Sequence, residues 1–464
     1  MIRVRYPTKV PILALAGIGM FCTPMPAMAA PADALSTIRD EISKLREEYE
    51  AKIKDLENRL QKAETDAEEA KASAAAAQEA QKSAAAAAPP PPPAAPIPEP
   101  PPVQRTPTSL NAFNPGIAAV LNGFFVAASH DPSASSIPGF ALGDSAQGPS
   151  RGFSLGESEV NLTANIDPFT LGWLNLSFSR DNTVSVEEAY IQTTSLGEGL
   201  TLRAGRFFSG IAYLNERHAH DWSFSDASLP YRVFLNNQYG DDGLQARWLA
   251  PTNIFLELGV ELFRGDSFPA GGAANKGVGT VTAFAHAGAD INDSSSWLAG
   301  LSYLRTRSDK RGDTAGDIFS GTDNVGIASL VYKWAPGGNP TIRNLILSGE
   351  YFYGHENGFF NGIPVDYNHF GWYAQAVYQF MPRWSVGLRY AQLRTDDLGP
   401  ALAGTTLDDM GRIPRAVSGL LEFDTSEFGR FRVQYSHDDS DVRPLDQVLL
   451  QYTVIYGPHP AHRY

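Results

Sequence analysis

The feature that most constrains this chain is a change of hydrophobic period at about residue 115. From there to the end, runs of about ten to fifteen residues alternate apolar with polar or small side chains. Residues 255–262, for example, read FLELGVEL, in which every second side chain is aliphatic. This is the pattern of a strand with one apolar and one polar face, at the length that a tilted strand needs to cross a bilayer.

About sixteen such runs follow one another, and their connections alternate in length. The runs start near residues 116, 150, 170, 184, 199, 240, 254, 278, 296, 324, 344, 368, 384, 413, 428 and 445. Short turns such as 167–169 and 381–383 alternate with longer loops such as 130–149, 209–239 and 307–323. We therefore predict an all-β transmembrane barrel of about 16 antiparallel strands, with its short turns and both ends in the periplasm.

A soluble β-sandwich also alternates apolar and polar residues, but the tryptophans favour the barrel. Five of the seven tryptophans stand beside short connections, where an aromatic girdle would meet one membrane interface. They are Trp173, Trp248, Trp297, Trp334 and Trp384.

The first 29 residues have the organisation of an export signal. Arg3, Arg5 and Lys9 precede an apolar stretch at 12–21, and residues 27–29 read AMA, a small-x-small cleavage site. Cys22, the single cysteine, lies in this segment, so the mature chain is expected to lack disulfides and thiolate metal sites. The alternative interpretation is that Cys22 accepts a lipid.

Two further segments of distinct composition precede the barrel, which we place at 109–464. Residues 30–83 carry a heptad-like apolar stripe flanked by mixed charges, which predicts a self-associating α-helical coiled coil in the periplasm. A single amphipathic helix lying on another surface is the alternative. Residues 84–108 form an Ala/Pro-rich linker, and the two segments together would reach roughly 120 Å.

Composition and motifs exclude several classes of function. The formal net charge of −14 argues against a sequence-independent nucleic-acid binder. Past the first two dozen residues no run approaches the roughly 18 apolar residues of a membrane-spanning helix. The sequence contains neither a Gly-x-Ser-x-Gly turn nor a His-Glu-x-x-His helix, so we expect no enzymatic activity and no cofactor.

The polar face of each strand should point into the lumen. Charges of both signs across a water-filled pore would orient polar solutes, although pairing between adjacent strands would merely stiffen the wall. Glu187 and Glu188 are adjacent, so one of them must face lipid or sit at a rim or a bulge. The predicted pore-lining residues are Glu157, Glu159, Arg203, Arg247, Glu257, Glu261, Glu350, Arg389 and Arg432.

The longest connection, 209–239, gathers four potential metal ligands within six residues. These are Glu216, His218, His220 and Asp221, and imidazole with carboxylate suits zinc or a similar divalent ion. The alternative is a polar loop whose histidines bond to the wall or to water. A second pair, His459 and His462, lies near the C-terminus and is open to the same two interpretations.

Three stretches resemble a known family of porins. They are LGESEVNLTANIDPF (155–169), VSVEEAYIQTTSLGEGLTLRAGRFF (184–208) and DDGLQARWLAP (241–251). They resemble Gram-negative porins of the phosphate-selective O and P type, and more closely a group of relatives labelled as zinc-regulated or receptor-like outer-membrane proteins. The resemblance implies a sixteen-stranded, trimeric, passive diffusion channel whose third long loop folds inward as a constriction.

This chain departs from the phosphate-selective pattern in its charges. Those porins use a lysine-rich lumen, whereas from residue 109 onward this chain has only Lys276, Lys310 and Lys333, and acids outnumber bases by about 13. We therefore expect an outer-membrane porin for small hydrophilic solutes that is not anion-selective. Two alternatives stay open: a receptor-like transporter for a metal or other substrate, and an anchor that reaches peptidoglycan through the coiled coil.

Overall fold

The computed structural model describes residues 115–179, 183–271 and 277–457, together with the helical residue Lys54. The predicted signal sequence and linker, the rest of the predicted coiled coil, and the His459–His462 pair lie outside the described residues. The chain divides into two units after Val103, and the strands all belong to the second. Among the described residues, no helix has the length and apolar character needed to cross a bilayer.

The described residues form seventeen strands, one α-helix and five short 3₁₀ turns. The strands are β1 (Gly116–Ala128), β2 (Gly152–Leu155), β3 (Ser158–Asp167), β4 (Thr170–Phe178), β5 (Val184–Thr193), β6 (Leu200–Phe208), β7 (Gly240–Leu249), β8 (Phe255–Phe263), β9 (Thr280–Asn292), β10 (Ser295–Gly312), β11 (Ile318–Trp334), β12 (Asn344–Phe360), β13 (Ile363–Met381), β14 (Trp384–Thr395), β15 (Arg415–Ser426), β16 (Gly429–Asp438) and β17 (Leu445–Tyr456). The helix is α1 (Leu229–Leu235), and the 3₁₀ turns are Pro132–Ala134, Asp144–Ala146, Ala219–Asp221, Pro336–Gly338 and Pro400–Leu402.

The strands close into a barrel because the first one pairs with the last. On one side β1 pairs antiparallel with β17, from Ala119 opposite Tyr456 to Ala128 opposite Gln447. On its other side β1 pairs with both β2 and β3, which are therefore two parts of one strand interrupted at residues 156–157. Every other strand pairs antiparallel with its neighbours in sequence. The seventeen segments make sixteen strands around the barrel, which confirms the predicted number and fold.

Four strands extend farther than the sequence pattern predicts. The strands β10 to β13 are 17 to 19 residues long, and β11 begins at Ile318 and β13 at Ile363 rather than near 324 and 368. The expected long loop at 307–323 is consequently reduced to residues 313–317. The main-chain ladder continues here, for example between Thr306 and Asp323. The predicted starts of β11 and β13 are too late because the strands continue beyond the regular alternation, where Phe319, Val365 and Tyr367 are buried in a cluster with Leu402 and Leu407.

Burial in the barrel is inverted relative to a soluble protein. Leu301, Leu330 and Leu388 are 68%, 59% and 61% exposed on the outer face, whereas Glu261 and Gln434 on the inner face are 0% exposed. An apolar outer face with every strand paired is what a lipid bilayer requires, because lipid offers no hydrogen bonds to the main chain. The alternation in the sequence is therefore explained by lipid on one face and packed polar side chains on the other.

The tryptophans near the short turns do not all face the same way. Trp248 is exposed on the outer face, and its indole N–H donates to the carbonyl of Glu198 at 3.1 Å, which ties it to a short turn. Trp173 instead stacks on Tyr190, whose ring lies 4.3 Å from the Arg203 guanidinium on the inner face. One member of the expected girdle therefore packs inside the barrel.

Gly205 tests how closely β5 and β6 must approach. Its φ of +132° lies in the region that favours glycine, and an added Cβ would stand 2.2 Å from the carbonyl oxygen of Ala189. We expect Gly205→Ala to lower stability by about 1–3 kcal/mol, measured as the thermal midpoint of the purified barrel. Gly326→Ala is the matched control, because a Cβ there meets no atom within 4 Å. Equal midpoints for the two variants would contradict this account.

Candidate functional site

The loop between β6 and β7, residues 209–239 and here called L3, lies inside the barrel. The N–H of Tyr213 donates to Glu350 on β12 at 2.7 Å, while His218 lies 3.1 Å from Glu159 on β3. The strands β3 and β12 stand on nearly opposite sides of the barrel. L3 therefore crosses the lumen, in the position that the resemblance to porins implies.

One half of L3 is held by apolar packing. Its helix, α1, has Pro230 in the first turn. Asn236, the residue that caps its C-terminal end, takes the left-handed conformation common at helix ends (φ 51°, ψ 43°). Phe234 of α1 packs on Phe352 of β12 with ring centroids 5.3 Å apart. The inner wall is apolar at this place, so it buries the helix instead of facing water.

The carboxylate of Glu350 fastens this half of L3 to the wall. It accepts hydrogen bonds from the N–H of Tyr213 at 2.7 Å and from the hydroxyls of Tyr231 at 2.6 Å and Tyr373 at 2.7 Å. Burial and the neighbouring carboxylate raise the pKa of Tyr231 well above its usual range, so the phenol stays a donor. A residue predicted to line the pore is thus buried under L3 and satisfied by it.

Two predicted lumen arginines, on β14 and β16, hold the middle of L3. The Arg389 guanidinium lies 2.5 Å from the carboxylate of Asp226. Arg432 donates to the carbonyl of Trp222 at 2.9 Å and pairs with Glu422 at 2.6 Å. Because Asp226 and Trp222 both belong to L3, these arginines bind the loop and are nearly shielded from the lumen.

A third group of predicted residues lies at the start of L3. Arg247 pairs with Glu216 of the loop and also lies 3.6 Å from Glu257, while Arg203 lies 3.6 Å from Glu216. Glu257 in turn contacts His286 at 3.1 Å. Glu216, one of the four potential metal ligands, thus pairs with arginines, and within the described part of the chain it forms no ion pair with a histidine of L3.

Glu261 is the most enclosed of the predicted lumen residues. Its carboxylate accepts hydrogen bonds from Ser209, from the N–H of Gly210 at 2.9 Å, from Gln245 at 2.5 Å and from Thr282. It fixes the point at which the chain leaves β6 and turns into the barrel.

The remaining potential ligands gather at the wall formed by β3 and β5. His218 Nδ1 lies 3.1 Å from Glu159 and 3.2 Å from Glu187, and its Nε2 lies 3.1 Å from Glu188. His220 Nδ1 lies 2.9 Å from the other oxygen of Glu159. We call Glu159, Glu187, Glu188, His218 and His220 the histidine cluster. Asp221 Oδ1 lies 3.6 Å from His220 Nε2, farther than the glutamate oxygens lie from the histidines.

A β-bulge explains why two adjacent glutamates reach the same histidine. Along β4 and β5, Asn175 pairs with Glu188 and the next residue, Leu176, pairs with Val186, so Glu187 is an extra residue. The adjacency of Glu187 and Glu188 signalled such an irregularity in the sequence. It did not reveal that both side chains turn inward.

The electrostatics of the cluster favour a positive charge on His218. Burial alone would lower its pKa, but the carboxylates of Glu159, Glu187 and Glu188 outweigh burial and raise the pKa of His218 well above its usual range. The imidazolium then links L3 to both β3 and β5.

Beside the cluster is a cavity of about 570 Å³. It is bounded by the loop at 129–151, by L3 and by the inner wall, and Arg232 is the basic residue among those that line it. Its acidic residues are Asp144, Glu157, Glu187, Asp226 and Asp438. Glu157, the last of the predicted lumen residues, therefore faces this cavity.

Comparison with known proteins adds similarity in fold and one sequence relative. No family model matches the chain. An uncharacterized protein of Aquifex aeolicus is 28% identical over 392 residues, which cover 77% of this chain and 82% of that one.

Several solved outer-membrane proteins are similar to this chain at low sequence identity. The anion-selective porin from Comamonas acidovorans is 12% identical, with a TM-score of 0.49 over 74% of this chain and 100% of that one. OprB of Pseudomonas putida is 13% identical, with a TM-score of 0.48 over 75% of this chain and 95% of OprB. The trimer form of OmpT, an outer membrane protein of Vibrio cholerae, is 10% identical, with a TM-score of 0.48 over 74% of this chain and 100% of OmpT. None of these similarities assigns a solute to this chain.

Glu350 offers a graded test of how L3 is attached. Glu350→Ala leaves two buried hydroxyls and the partly buried N–H of Tyr213 without their acceptor, so we expect the free energy of unfolding to fall by about 3 kcal/mol or more. Tyr373→Phe removes only one of the three hydrogen bonds and should cost about 1 kcal/mol. Denaturant unfolding of the purified variants measures both, and a smaller loss for Glu350→Ala than for Tyr373→Phe would contradict this network.

Proposed function

We propose that this protein is an outer-membrane porin, a passive channel for small hydrophilic solutes without catalytic activity. The apolar outer face of a closed sixteen-stranded barrel supports a position in the membrane. A barrel of this size is wide enough to hold water, and L3 narrows it from within. L3 is fixed by buried contacts at its start, middle and end, so the narrowed passage has a defined shape.

The observation that carries the proposal is the acidic cavity beside L3. Five carboxylates and one guanidinium line it, and Asp438 and Arg232 pair with each other at 3.2 Å. Asp226 is paired with Arg389. Asp144 is exposed and accepts hydrogen bonds from Asn236 at 3.1 Å and from Ser145 at 3.3 Å. An excess of negative charge at a narrow passage concentrates cations and repels anions.

The strand number argues against an energised receptor. Such transporters use about 22 strands and a globular plug, whereas this barrel has sixteen strands. L3 partly fills the lumen, but it is an internal loop of the barrel and not a separate domain. A role as a membrane anchor is distinguished from the channel by conductance, because an anchor gives no current.

We also propose a homotrimer in the outer membrane, with the N-terminal arm in the periplasm. The trimer rests on the resemblance to porins. The arm rests on the sequence of residues 30–108, whose apolar stripe and proline-rich end suit a helical bundle that reaches toward peptidoglycan.

Selectivity of the purified channel tests the proposed function. We expect a reversal potential that shows preference for cations in a planar bilayer with a salt gradient, and a preference for chloride or phosphate would contradict it. Asp144→Lys reverses an exposed charge in the acidic cavity and should move the reversal potential toward anions. Glu427→Lys is the matched control, because this exposed residue lies in the short turn at the opposite end of the barrel.

The arm is tested separately with a peptide of residues 30–88. We expect sedimentation analysis to show a helical oligomer, because the apolar stripe gains burial only by pairing. A disordered monomer at high concentration would remove the coiled-coil proposal and leave a solvated spacer.

A further inference from the structure

The histidine cluster holds more negative charge than its own histidines can balance. Glu159, Glu187 and Glu188 surround His218 and His220, and Glu157 lies next to them on the cavity side. Within residues 115–179, 183–271 and 277–457, none of these four glutamates forms an ion pair with an arginine or lysine. Buried carboxylates without compensation are costly, so the site favours a bound cation.

The ligand atoms already converge at the spacing that a small metal ion needs. One ligand atom each from Glu159, His218 and His220 lies within 4.8 Å of the other two. The two Nδ1 atoms lie 3.1 Å and 2.9 Å from the two oxygens of Glu159. Ligand atoms around a tetrahedral zinc stand about 3.3–3.5 Å apart, so only small side-chain adjustments are needed. Glu187 at 3.2 Å from His218 is placed to supply a fourth ligand.

An unsatisfied side chain at the same place gives a second, independent indication. Asn175 is fully buried, and its amide nitrogen donates to Glu159 at 2.8 Å and to Glu187 at 2.7 Å. Its Oδ1 has no hydrogen-bond partner among the described residues. Asn175 therefore orients two of the carboxylates, as groups surrounding a metal site do, and leaves a free oxygen beside them.

In a second group of acidic residues inside the barrel, an arginine balances the negative charge of the carboxylates. Asp323, Glu356 and His369 also converge within 4.8 Å, but the Arg311 guanidinium lies 2.9 Å from Glu356 and supplies a positive charge. Among the residues that the structure describes, no guanidinium pairs with the carboxylates of the histidine cluster. Its neighbour Arg430 donates to the main-chain carbonyl of His220 and pairs with Glu422.

We propose that Glu159, His218 and His220, with Glu187 as a fourth ligand, bind a divalent cation of the zinc class between L3 and the wall of the barrel. The cavity lined by Glu157 and Glu187 gives the ion a route to the site. The set differs from the sequence prediction, because carboxylates of β3 and β5 replace Glu216 and Asp221. The bound ion would fasten L3 to β3 and β5. Binding does not require conduction, so this proposal and the porin proposal fail or succeed separately.

Zinc binding by the full-length, tag-free protein is the direct test. The protein is stripped with a chelator, equilibrated with zinc sulfate and desalted, and the metal per chain is measured by mass spectrometry. We expect the double variant, which carries both His218→Gln and His220→Gln, to contain about one equivalent of zinc per chain less than the unsubstituted protein. Glu159→Gln keeps the shape of the side chain and should weaken binding at least about tenfold.

The controls are two other histidines of the barrel. His369→Gln alters the group compensated by Arg311, and His355→Gln alters a residue that contacts Asn368 at 3.1 Å. Both should keep the full zinc content. Unchanged zinc in the double variant, or an equal loss in His369→Gln, overturns the proposal.

A measurement on the unsubstituted protein covers the case in which the variants do not fold. Zinc should protect the peptide that contains His218 and His220 from a histidine-modifying reagent, while His355 continues to react. Equal modification of that peptide with and without zinc overturns the proposal without any substitution.

Discussion

Closure of the barrel is the constraint on which the rest of the structure depends. A strand in lipid has no water to satisfy its N–H and C=O groups, so the first strand must pair with the last. Here that pairing joins Ala119–Ala128 to residues 447–456, more than 300 positions later in the chain. Once the ring is closed, each strand must place alternate side chains in lipid and in the lumen. The period of two in the sequence is a direct consequence of this closure.

Closure also creates a second interior, which L3 fills. Its C-terminal half has an apolar helix that packs on inward-facing rings such as Phe352, so this part of the lumen resembles the core of a soluble protein. Its N-terminal half contributes Ile211 and Ala212 to the same cluster, but its charged side chains form ion pairs with the strands, as Glu216 does with Arg247 and His218 with Glu159. The loop is thus fixed by two different kinds of interaction.

The strand number could be predicted from the sequence, because it follows from alternation and turn length, whereas the inward path of the longest connection was implied by the resemblance to porins. The partners of individual residues could not be predicted. Glu216 and His218 are two residues apart, yet one reaches Arg247 on β7 and the other reaches Glu159 on β3. Contacts between a loop and a wall depend on how the loop crosses the lumen, and no period encodes that path. The sequence indicated an irregularity at Glu187, because two adjacent glutamates cannot both lie on the inner face of a regular strand. That both glutamates contact His218 is seen only in the folded structure.

The two ends of the polar half of L3 differ in how their charges are balanced. Arg203, Arg247, Arg389 and Arg432 each face a carboxylate, and such pairs need nothing from solvent to be stable. At the histidine cluster the carboxylates face imidazoles, whose charge depends on protonation or on a bound cation. The arginine pairs hold L3 without such a requirement. If the proposed cation binds, the attachment of L3 to β3 and β5 depends on that ion, whereas the attachments through the arginines do not.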